Sequence, residues 1–534
     1  MPSKVNLDAI IRREDFEIQD NTNVSINKSS TFSIRDLEED SFFLPVLRKP
    51  DFQRETNEWD SEKICDFIQS FLDGDLIPAI ILWRSAGGTI FVIDGAHRIS
   101  ALAAWVHNDY GDGEYSKLFY DGVIPEKQIE VAEQTRIHIR KEIGTFKDYK
   151  LALKHPDKVD DKIVERSKSL GVSAIQLQWV EGNSEKAEAS FFKINQQASP
   201  INPTELLLLK TRKKPNGIAA RAIIRSGKGH KYWSAFSEEN QSKIQTIAKE
   251  INDLLFTPIL SYPIKTLDLP IAGSINSASS LSLIFNFVNI VNGIKIKNES
   301  ADSSSVAIKD EKNNDLEDDM NGIITIEFLK KCRKVARRIN SIHPSSLGLH
   351  PAVYFYSLNN GNHKTASFFA ITSLMLDFEK RDSYKDFIKV RDHFEKFLLK
   401  YDFFIPEIVR KHRSAMDSYE HLRDYFLLLI EKMLEGKAEE QIIDEIIKDS
   451  KFKYLKIEAE KKPELEDKEF SSGTKSAIFI KEALPKALRC KICNGFIHKS
   501  SISIDHIQRK EDGGMGLIDN AQLTHPYCNT TIKN

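Results

Sequence analysis

Residues 490–534 read CKICNGFIHKSSISIDHIQRKEDGGMGLIDNAQLTHPYCNTTIKN, and their spacing specifies a small metal-bound fold. The segment holds two pairs of metal-ligand residues, Cys490-x-x-Cys493 and His525-x-x-Cys528. Cys-x-x-Cys places two thiolates at about the reach that tetrahedral Zn²⁺ requires, and the second pair would close the site. The sequence therefore predicts a structural zinc site. The alternative is two unrelated pairs without a metal.

The residues between the two pairs suit hydrolysis of a phosphodiester. Residues 501–504 (SISI) predict a strand that ends in Asp505 and His506. Such a reaction needs a base for water, which a neutral His506 could supply, and a cation near the scissile phosphate. Asp505 is an oxygen ligand of the type that Mg²⁺ or Mn²⁺ prefers, and Asn529 could add a second oxygen. Asn520 could orient the imidazole of His506 through its side-chain amide.

This segment resembles the HNH endonuclease family, whose ββα-metal fold has the form C-x-x-C…DHI…GG…N…C-x-x-CN…K. The likeness spans residues 490–534, including Lys533. It implies that His506 is the general base and that Asn520 positions it. It also implies that Asp505 and Asn529 hold the catalytic Mg²⁺ or Mn²⁺.

One position departs from the family pattern. His525 stands where many members have cysteine, and zinc accepts either ligand. The alternative to a nuclease is a zinc module that binds without cutting, which would require decayed catalytic positions. Asp505, His506 and Asn520 are all present, which favours the nuclease.

A second motif, Asp94-Gly95-Ala96-His97-Arg98, is predicted to follow a strand and to open a helix. Gly95 allows a tight turn, and the helix N-terminus presents unpaired N–H groups to an anion. Arg98 and His97 could add contacts to phosphate. Asp94 could coordinate a phosphate-bound Mg²⁺ or cap the helix. The alternative is an ordinary capped helix start.

The context of this motif resembles the ParB-like domain of bacterial restriction and defence proteins, the N-terminal half of GmrSD-type enzymes. The segments that carry the likeness are FQR at 52–54, Trp59, IP at 77–78, ILW at 81–83 and FFKIN at 191–195. The resemblance implies binding of a nucleoside triphosphate, ATP or GTP, with Mg²⁺, and sensing of DNA modification in several members. The residues it assigns to the nucleotide are Arg54, Asp94, Gly95, His97 and Arg98. Ala96 replaces the usual glutamine, which favours binding over fast turnover. A domain that binds DNA backbone or nothing is the alternative.

A basic run follows, residues 210–231, which contains no acidic side chain. Basic runs with neighbouring aromatics, here Tyr232 and Trp233, suit contact with the DNA backbone. The candidate DNA-binding residues are Lys210, Arg212, Lys213, Lys214 and, in the C-terminal segment, Lys533. A solvated helix face is the alternative.

Composition limits the classes of protein. The 534 residues carry a net charge of −2, so nucleic-acid contact requires local basic patches. The N-terminus has no signal-peptide pattern, and the most apolar stretch, 281–294, is too short to span a membrane. Five cysteines, three of them in the C-terminal segment, fit a reduced, cytoplasmic protein with one metal site.

The fold class predicted is α+β and multidomain, with a ParB-like α/β N-terminal domain, a mostly α-helical middle and a zinc-clasped HNH domain. The predicted boundaries are 1–210 for the ParB-like domain, 211–300 for a helical extension, 301–321 for an acidic linker or loop, 322–457 for a helical domain, 458–475 for a second linker and 476–534 for the HNH domain.

The preferred hypothesis is a DNA endonuclease of a bacterial anti-phage or restriction system. An HNH module has one active site, so a monomer should nick DNA, and a double-strand break would need a homodimer or two encounters. The ParB-like domain would control the cut by binding nucleotide or sensing DNA, alone or with other defence proteins. The alternatives are a DNA- or partner-binding adaptor without cleavage, and an NTPase regulator with a latent nuclease.

Overall fold

The computed structural model describes residues 4–14, 28–50, 53, 56–85, 87–120, 122, 124, 126–198, 207–208, 210–228, 232–275, 280–298, 306–456 and 469–533. The chain forms two compact units. The N-terminal unit comprises Met1–Arg212 and Lys228–Tyr232, and the C-terminal unit comprises Lys213–Gly227 and Trp233–Asn534. The fold is α+β, as predicted.

The N-terminal unit is built on a mixed sheet with strand order β1-β3-β5-β4-β6-β2. Pairing is parallel between β1 and β3, β3 and β5, and β4 and β6, and antiparallel between β4 and β5 and between β2 and β6. The strands are β1 (Arg13–Glu14), β2 (Thr31–Ser33), β3 (Leu47–Pro50), β4 (Ile80–Arg84), β5 (Ile90–Asp94) and β6 (Ala174–Val180).

Helices cover both faces of this sheet. They include α1 (Ser61–Asp73), α2 (Ala96–His107), α3 (Glu114–Phe119), α4 (Glu126–Glu142), α5 (Phe146–Lys154), α6 (Asp161–Leu170) and α7 (Ser184–Ala198). Because strand side chains alternate, Leu82 and Val92 join the core beneath α1 and α2, whereas Trp83 and Phe91 pack against Phe191 of α7. Strand β5 ends at Asp94, and the chain passes through Gly95 directly into α2.

The C-terminal unit is mostly helical. Its helices include α8 (Pro215–Ile224), α9 (Glu238–Phe256), α10 (Ser280–Val291), α11 (Ile323–Ile339), α12 (Pro351–Tyr354), α13 (Thr365–Arg381), α14 (Tyr384–Lys400), α15 (Phe404–His412), α16 (Ala415–Leu434), α17 (Glu439–Lys448) and α18 (Ser472–Ala483). Two hairpins accompany them: β7 (Lys295–Asn298) with β8 (Val306–Lys309), and β9 (Ser503–His506) with β10 (Ala521–Thr524). The zinc-ligand segment belongs to the same compact unit as these helices.

The acidic segment expected to be a linker or loop is folded in its described part, residues 306–321. Ile308 and Leu316 are buried, and the amide of Leu316 donates to the carbonyl of Ile308. The carboxylate of Asp319 accepts hydrogen bonds from the backbone N–H groups of Gly322 and Thr325 at the start of α11. Well-spaced apolar residues and a helix-capping aspartate give this polar run something to bury, which its composition conceals. Of the second expected linker, 458–475, residues 458–468 lie outside the described residues.

Within the described residues, no helix is both long enough and apolar enough to cross a membrane.

Candidate metal clasp and nuclease site

The four predicted zinc ligands meet at one point. The ligand atoms of Cys490, Cys493, His525 and Cys528 all lie within 4.8 Å of one another, and all four residues are buried. The turn that joins the first pair is closed by Asn494, which has φ 55° and donates its amide to the carbonyl of Cys490 at 2.9 Å. Three thiols and one imidazole at this spacing fit tetrahedral zinc.

The carbonyl of Phe496 fixes the tautomer of His525 so that Nδ1 faces the thiols, where Nη1 of Arg391 also approaches it. Its Nε2 lies 3.0 Å from the carbonyl oxygen of Phe496, which can only accept, so Nε2 carries the hydrogen. The other nitrogen, Nδ1, lies 3.4 Å from Sγ of Cys493 and 3.8 Å from Sγ of Cys528. Burial lowers the pKa of His525, which favours the neutral form that a metal requires. Hydrogen bonds from the other two thiols lower the pKa of Cys490.

A buried ion pair on α14 supports the cluster of zinc ligands Cys490, Cys493, His525 and Cys528, which we call the clasp. Nε of Arg391 donates to Glu395 at 2.8 Å, and both side chains are fully buried. Arg391 also donates to the carbonyl of Gly348 at 3.0 Å and lies 3.2 Å from Nδ1 of His525. Glu395 accepts the backbone N–H of Phe496 at 2.8 Å. The pair therefore contacts both arms of the clasp from one helix.

Sequence reasoning missed this pair because Arg391 precedes His525 by 134 positions. An Arg–Glu pair four residues apart reads as a solvated helix face. Two features of the sequence could have indicated a buried pair. One is the set of phenylalanines at 387, 394 and 397 on the same helix, which are buried, and the other is Gly495. A Cβ at Gly495 would lie 2.4 Å from Nε of Arg391, so only glycine fits there.

Strand β9 delivers Asp505 to a polar site beside the clasp. Asp505 is 6% exposed, and its Oδ2 accepts from Nε2 of Gln522 at 2.7 Å and from Nζ of Lys533 at 2.8 Å. The ammonium of Lys533 also contacts the carbonyls of His506 and Ile507. The carboxylate and two carbonyls thus form an oxygen-rich site around the ammonium group of Lys533.

Asn529 lies in the helical turn Cys528–Ile532, directly after the last zinc ligand. Its Nδ2 donates to Oγ of Ser503 at 2.8 Å and to the carbonyl of Ile504 at 3.2 Å. Ser503 and Asp505 are two residues apart on β9 and share one face of the strand. Asn529 is therefore brought to the face that carries Asp505, and its Oδ1 is the atom that could join a metal site.

Asn520 has a different role from the one expected. Its Oδ1 accepts from the amide of Gln508 at 2.7 Å, and its Nδ2 donates to the carbonyls of Gln508 at 3.2 Å and Met515 at 2.8 Å. These bonds hold the loop that follows His506 and do not involve the imidazole. The expectation that the Asn520 amide orients the His506 ring is corrected accordingly, because the loop backbone takes up both ends of that amide. His506 is partly exposed at the end of β9.

The N-terminal motif is assembled around the start of α2. Gly95 has φ 101°, and a Cβ there would lie 2.9 Å from Cγ1 of Ile80. Arg98 donates to the carboxylate of Asp94 and to the carbonyl of Pro78 at 2.6 Å. The His97 ring stacks on Trp59 with centroids 5.6 Å apart. Asp94, Gly95, His97 and Arg98 are therefore close together, and the predicted partner Arg54 lies outside the described residues.

Two of the candidate DNA-binding residues in the described part of the basic run are paired with acidic side chains. Arg212 pairs with Glu188 at 2.7 Å, and Lys214 donates to the carbonyl of Leu316 at 2.5 Å and pairs with Asp318 at 3.2 Å. Burial lowers the pKa of Lys210, and the carbonyl of Lys213 accepts the amide of Asp319. The neighbouring Trp233 is fully buried. Acidic residues far away in sequence neutralise part of this run, which the local pattern cannot reveal.

Two family models match the chain. The model of the GmrSD restriction endonuclease N-terminal domain matches residues 34–211, and the model of the HNH endonuclease matches residues 490–534. No curated protein and no solved structure matches. The chain therefore carries a GmrSD-type restriction endonuclease N-terminal domain and a C-terminal HNH endonuclease domain, and these two domains support DNA endonuclease activity.

Proposed function

We propose that this protein acts in anti-phage defence by nicking DNA, and that its ParB-like N-terminal domain controls the cut by binding ATP or GTP. The observation that carries the cleavage half is the arrangement at the end of β9. There, His506 is partly exposed while the adjacent Asp505 lies in a buried oxygen-rich site beside the zinc ligands. The described residues contain one such site, which supports cleavage of one strand per event, and a homodimer would be needed for a double-strand break.

The residues suggest a division of labour during hydrolysis. His506 accepts the proton of the attacking water as its oxygen bonds to phosphorus, the P–O bond to the leaving sugar oxygen breaks, and that oxygen takes a proton from solvent. Asp505 and Asn529 are the residues that would hold Mg²⁺ or Mn²⁺, which supplies Lewis-acid stabilisation of the phosphate charge. Gln522 and Lys533 keep the Asp505 carboxylate in place. Cys490, Cys493, His525 and Cys528 would hold zinc as scaffold.

Plasmid cleavage tests this half of the proposal. With Mg²⁺ or Mn²⁺, the full chain should convert supercoiled plasmid to the open-circular form before any linear product appears. His506→Ala should abolish the conversion, since no other base is proposed. His155→Ala is the matched control because His155 is exposed and lies in the N-terminal unit. Cutting retained by His506→Ala would show that the base has been misassigned.

The control half rests on Asp94, Gly95, His97 and Arg98 at the start of α2. A helix N-terminus with a glycine turn suits a phosphate, and the ion pair between Asp94 and Arg98 could exchange for contacts to Mg²⁺ and phosphate. Arg98→Gln should remove the effect of ATP or GTP on nicking while leaving nucleotide-free nicking intact. Arg140→Gln, on the exposed end of α4, is the control. A wild-type protein whose nicking rate ignores both nucleotides would end this half of the proposal.

A further inference from the structure

The loop after the proposed general base carries an unusual set of exposed apolar side chains, which we call the apolar tip. It consists of Ile507, Met515, Leu517 and Ile518, which are 55%, 68%, 65% and 92% exposed. Single exposed apolar residues are common on soluble proteins, but a cluster on one short loop indicates a contact surface. The tip is therefore a candidate binding surface.

The loop is held in one conformation by its own hydrogen bonds. The side-chain amide of Asn520 bridges the backbone of Gln508 and Met515. The backbone N–H of Asn520 donates to the carbonyl of Leu517 at 3.0 Å. The amide of Gly514 donates to the carbonyl of Arg509 at 2.9 Å, and a Cβ at Gly514 would lie 2.0 Å from the carbonyl oxygen of Gln508. Exposed apolar side chains on a backbone tied this closely are presented before binding, which lowers the entropy cost of docking.

The tip adjoins the residue that must meet the scissile phosphate. The amide of Ile507 donates to the carbonyl of Asn520 at 2.8 Å, and His506 pairs with Ala521 in the hairpin. Ile504, which shares the strand face of His506, is also exposed, at 67%. Apolar side chains thus lie on both sides of His506 along the chain. A duplex held with its phosphate at His506 would therefore lie beside Ile504 and Ile507.

Charge argues against a phosphate grip by this loop. Residues 507–520 contain two basic side chains and three acidic ones, so the loop has no excess positive charge. Its exposed apolar side chains instead offer contact with sugars and bases. Methionine, leucine and isoleucine are the residue types that proteins insert between base steps, with partial unstacking of the duplex.

We propose that the apolar tip is a wedge that enters a groove of the DNA beside the scissile phosphate and partly unstacks a base step. The proposal rests on the endonuclease function of the HNH domain and adds a source of site preference. Pyrimidine–purine steps unstack most readily, so the enzyme should favour nicks next to them without reading base edges.

Binding is tested on the full-length His506→Ala protein, so that cleavage plays no part in the result. The added changes Met515→Ser, Leu517→Ser and Ile518→Ser should weaken binding to a random-sequence duplex by at least about tenfold, since three apolar contacts are lost. The slope of log K against log[salt] should stay the same, because that slope counts phosphate contacts. A control with Met320→Ser and Ile342→Ser, both exposed and in the C-terminal unit, should bind as the parent does. Unchanged affinity, or a smaller salt slope, would overturn the wedge.

Two further measurements separate the wedge from other occupants. Nick positions mapped on plasmid should be enriched next to pyrimidine–purine steps for the wild type, and the enrichment should disappear in the triple serine variant. A wild-type map without enrichment would count against the wedge even if nicking itself is confirmed. Light scattering reports whether the tip joins two copies of the chain. A dimer lost in the triple variant at unchanged DNA affinity would make the tip a protein interface and refute the proposal.

Discussion

The zinc clasp and the Asp94–Arg98 motif both gather polar side chains, but they balance charge in different ways. In the clasp, the ligand atoms of three thiols and an imidazole converge within 4.8 Å, which is a set of electron-pair donors of the kind that binds zinc. In the motif, the guanidinium of Arg98 and the carboxylate of Asp94 are opposite charges that pair directly. Like donors at one point require a cation, whereas opposite charges can satisfy one another. Convergence of like donors is therefore the stronger indication of a resident ligand.

The largest test of this comparison is removal of one zinc ligand. Cys528→Ser should lower the zinc content of the purified chain and abolish nicking, because structural zinc contributes about 10–16 kcal/mol of apparent binding free energy in small zinc folds. Metal analysis and hydrogen exchange across β9 and β10 measure the effect. Cys65→Ala, on α1 of the N-terminal unit, should retain full zinc content. Wild-type zinc content in Cys528→Ser would contradict the assigned ligand set.

The second test concerns the ion pair behind the clasp. Arg391→Met leaves Glu395 buried without its cation, which should lower the free energy of unfolding of the C-terminal unit by about 3–5 kcal/mol. Replacing both, as Arg391→Met with Glu395→Leu, should restore part of the loss, since no unpaired charge then remains. Arg423→Met removes a partly exposed ion pair with Asp377 and should cost about 1 kcal/mol or less. Urea unfolding measures all three. Equal losses for Arg391→Met and Arg423→Met would refute a special role for the buried pair.

The third test uses acid and a histidine away from the clasp. Burial lowers the pKa of His363 from 6.5 to about 4, and its Nε2 lies 3.0 Å from the carbonyl of Ile271. Between those two pKa values the unfolded chain binds a proton that the folded chain does not. His363 should therefore contribute about 3 kcal/mol to the stability lost as pH drops from 6.5 to 4, in addition to the loss from His498, whose pKa burial also lowers to about 4. His363→Gln should flatten this part of the curve. A wild-type slope in His363→Gln would show that other groups dominate acid unfolding.

The smallest effect is expected at the N-terminal motif. Asp94→Asn removes the partner of Arg98 in a pair that water reaches, with the Asp94 side chain 36% exposed. Stability of the N-terminal unit should change by no more than about 1 kcal/mol, and nicking without nucleotide should be unchanged. Urea unfolding and the plasmid assay measure this. A loss as large as that of Arg391→Met would remove the contrast between the two sites.

Local patterns in the sequence predicted the parts of the molecule that are local. The zinc-ligand set follows from two short spacings, and the Asp94–Arg98 motif lies at the end of β5 and the start of α2, as its pattern predicts. The strand that ends in Asp505 and His506 was also expected and lies at Ser503–His506. Each of these depends on neighbours within a few residues.

The features that the sequence did not predict depend on which specific residues contact one another in the folded chain. The acidic segment was interpreted from its composition, yet Leu316 and Asp319 are buried. Leu316 is hydrogen-bonded to Ile308 of β8, and Asp319 to the first residues of α11. The basic residues Arg212 and Lys214 are neutralised by Glu188 and Asp318, which a local charge count places elsewhere. The loop role of Asn520 depends on how Gln508 and Met515 close around its amide. Longer-range ion pairs decided the charge balance of the basic run, and specific short-range hydrogen bonds decided the other two outcomes.

The contacts of Arg391 and its neighbours bear on whether the nuclease is portable. Residues 476–534 contact the helices of the same unit at several points. The backbone N–H of Tyr527 donates to the carbonyl of Ser346 at 2.9 Å, and Lys499 forms an ion pair with Asp268 at 2.9 Å. A cassette cut at residue 476 would leave Glu395 and Arg391 behind and expose the surface that they cover. Anyone who wishes to transplant this cutter into a fusion protein would need to carry the segment around residues 346–350 and helix α14 with it.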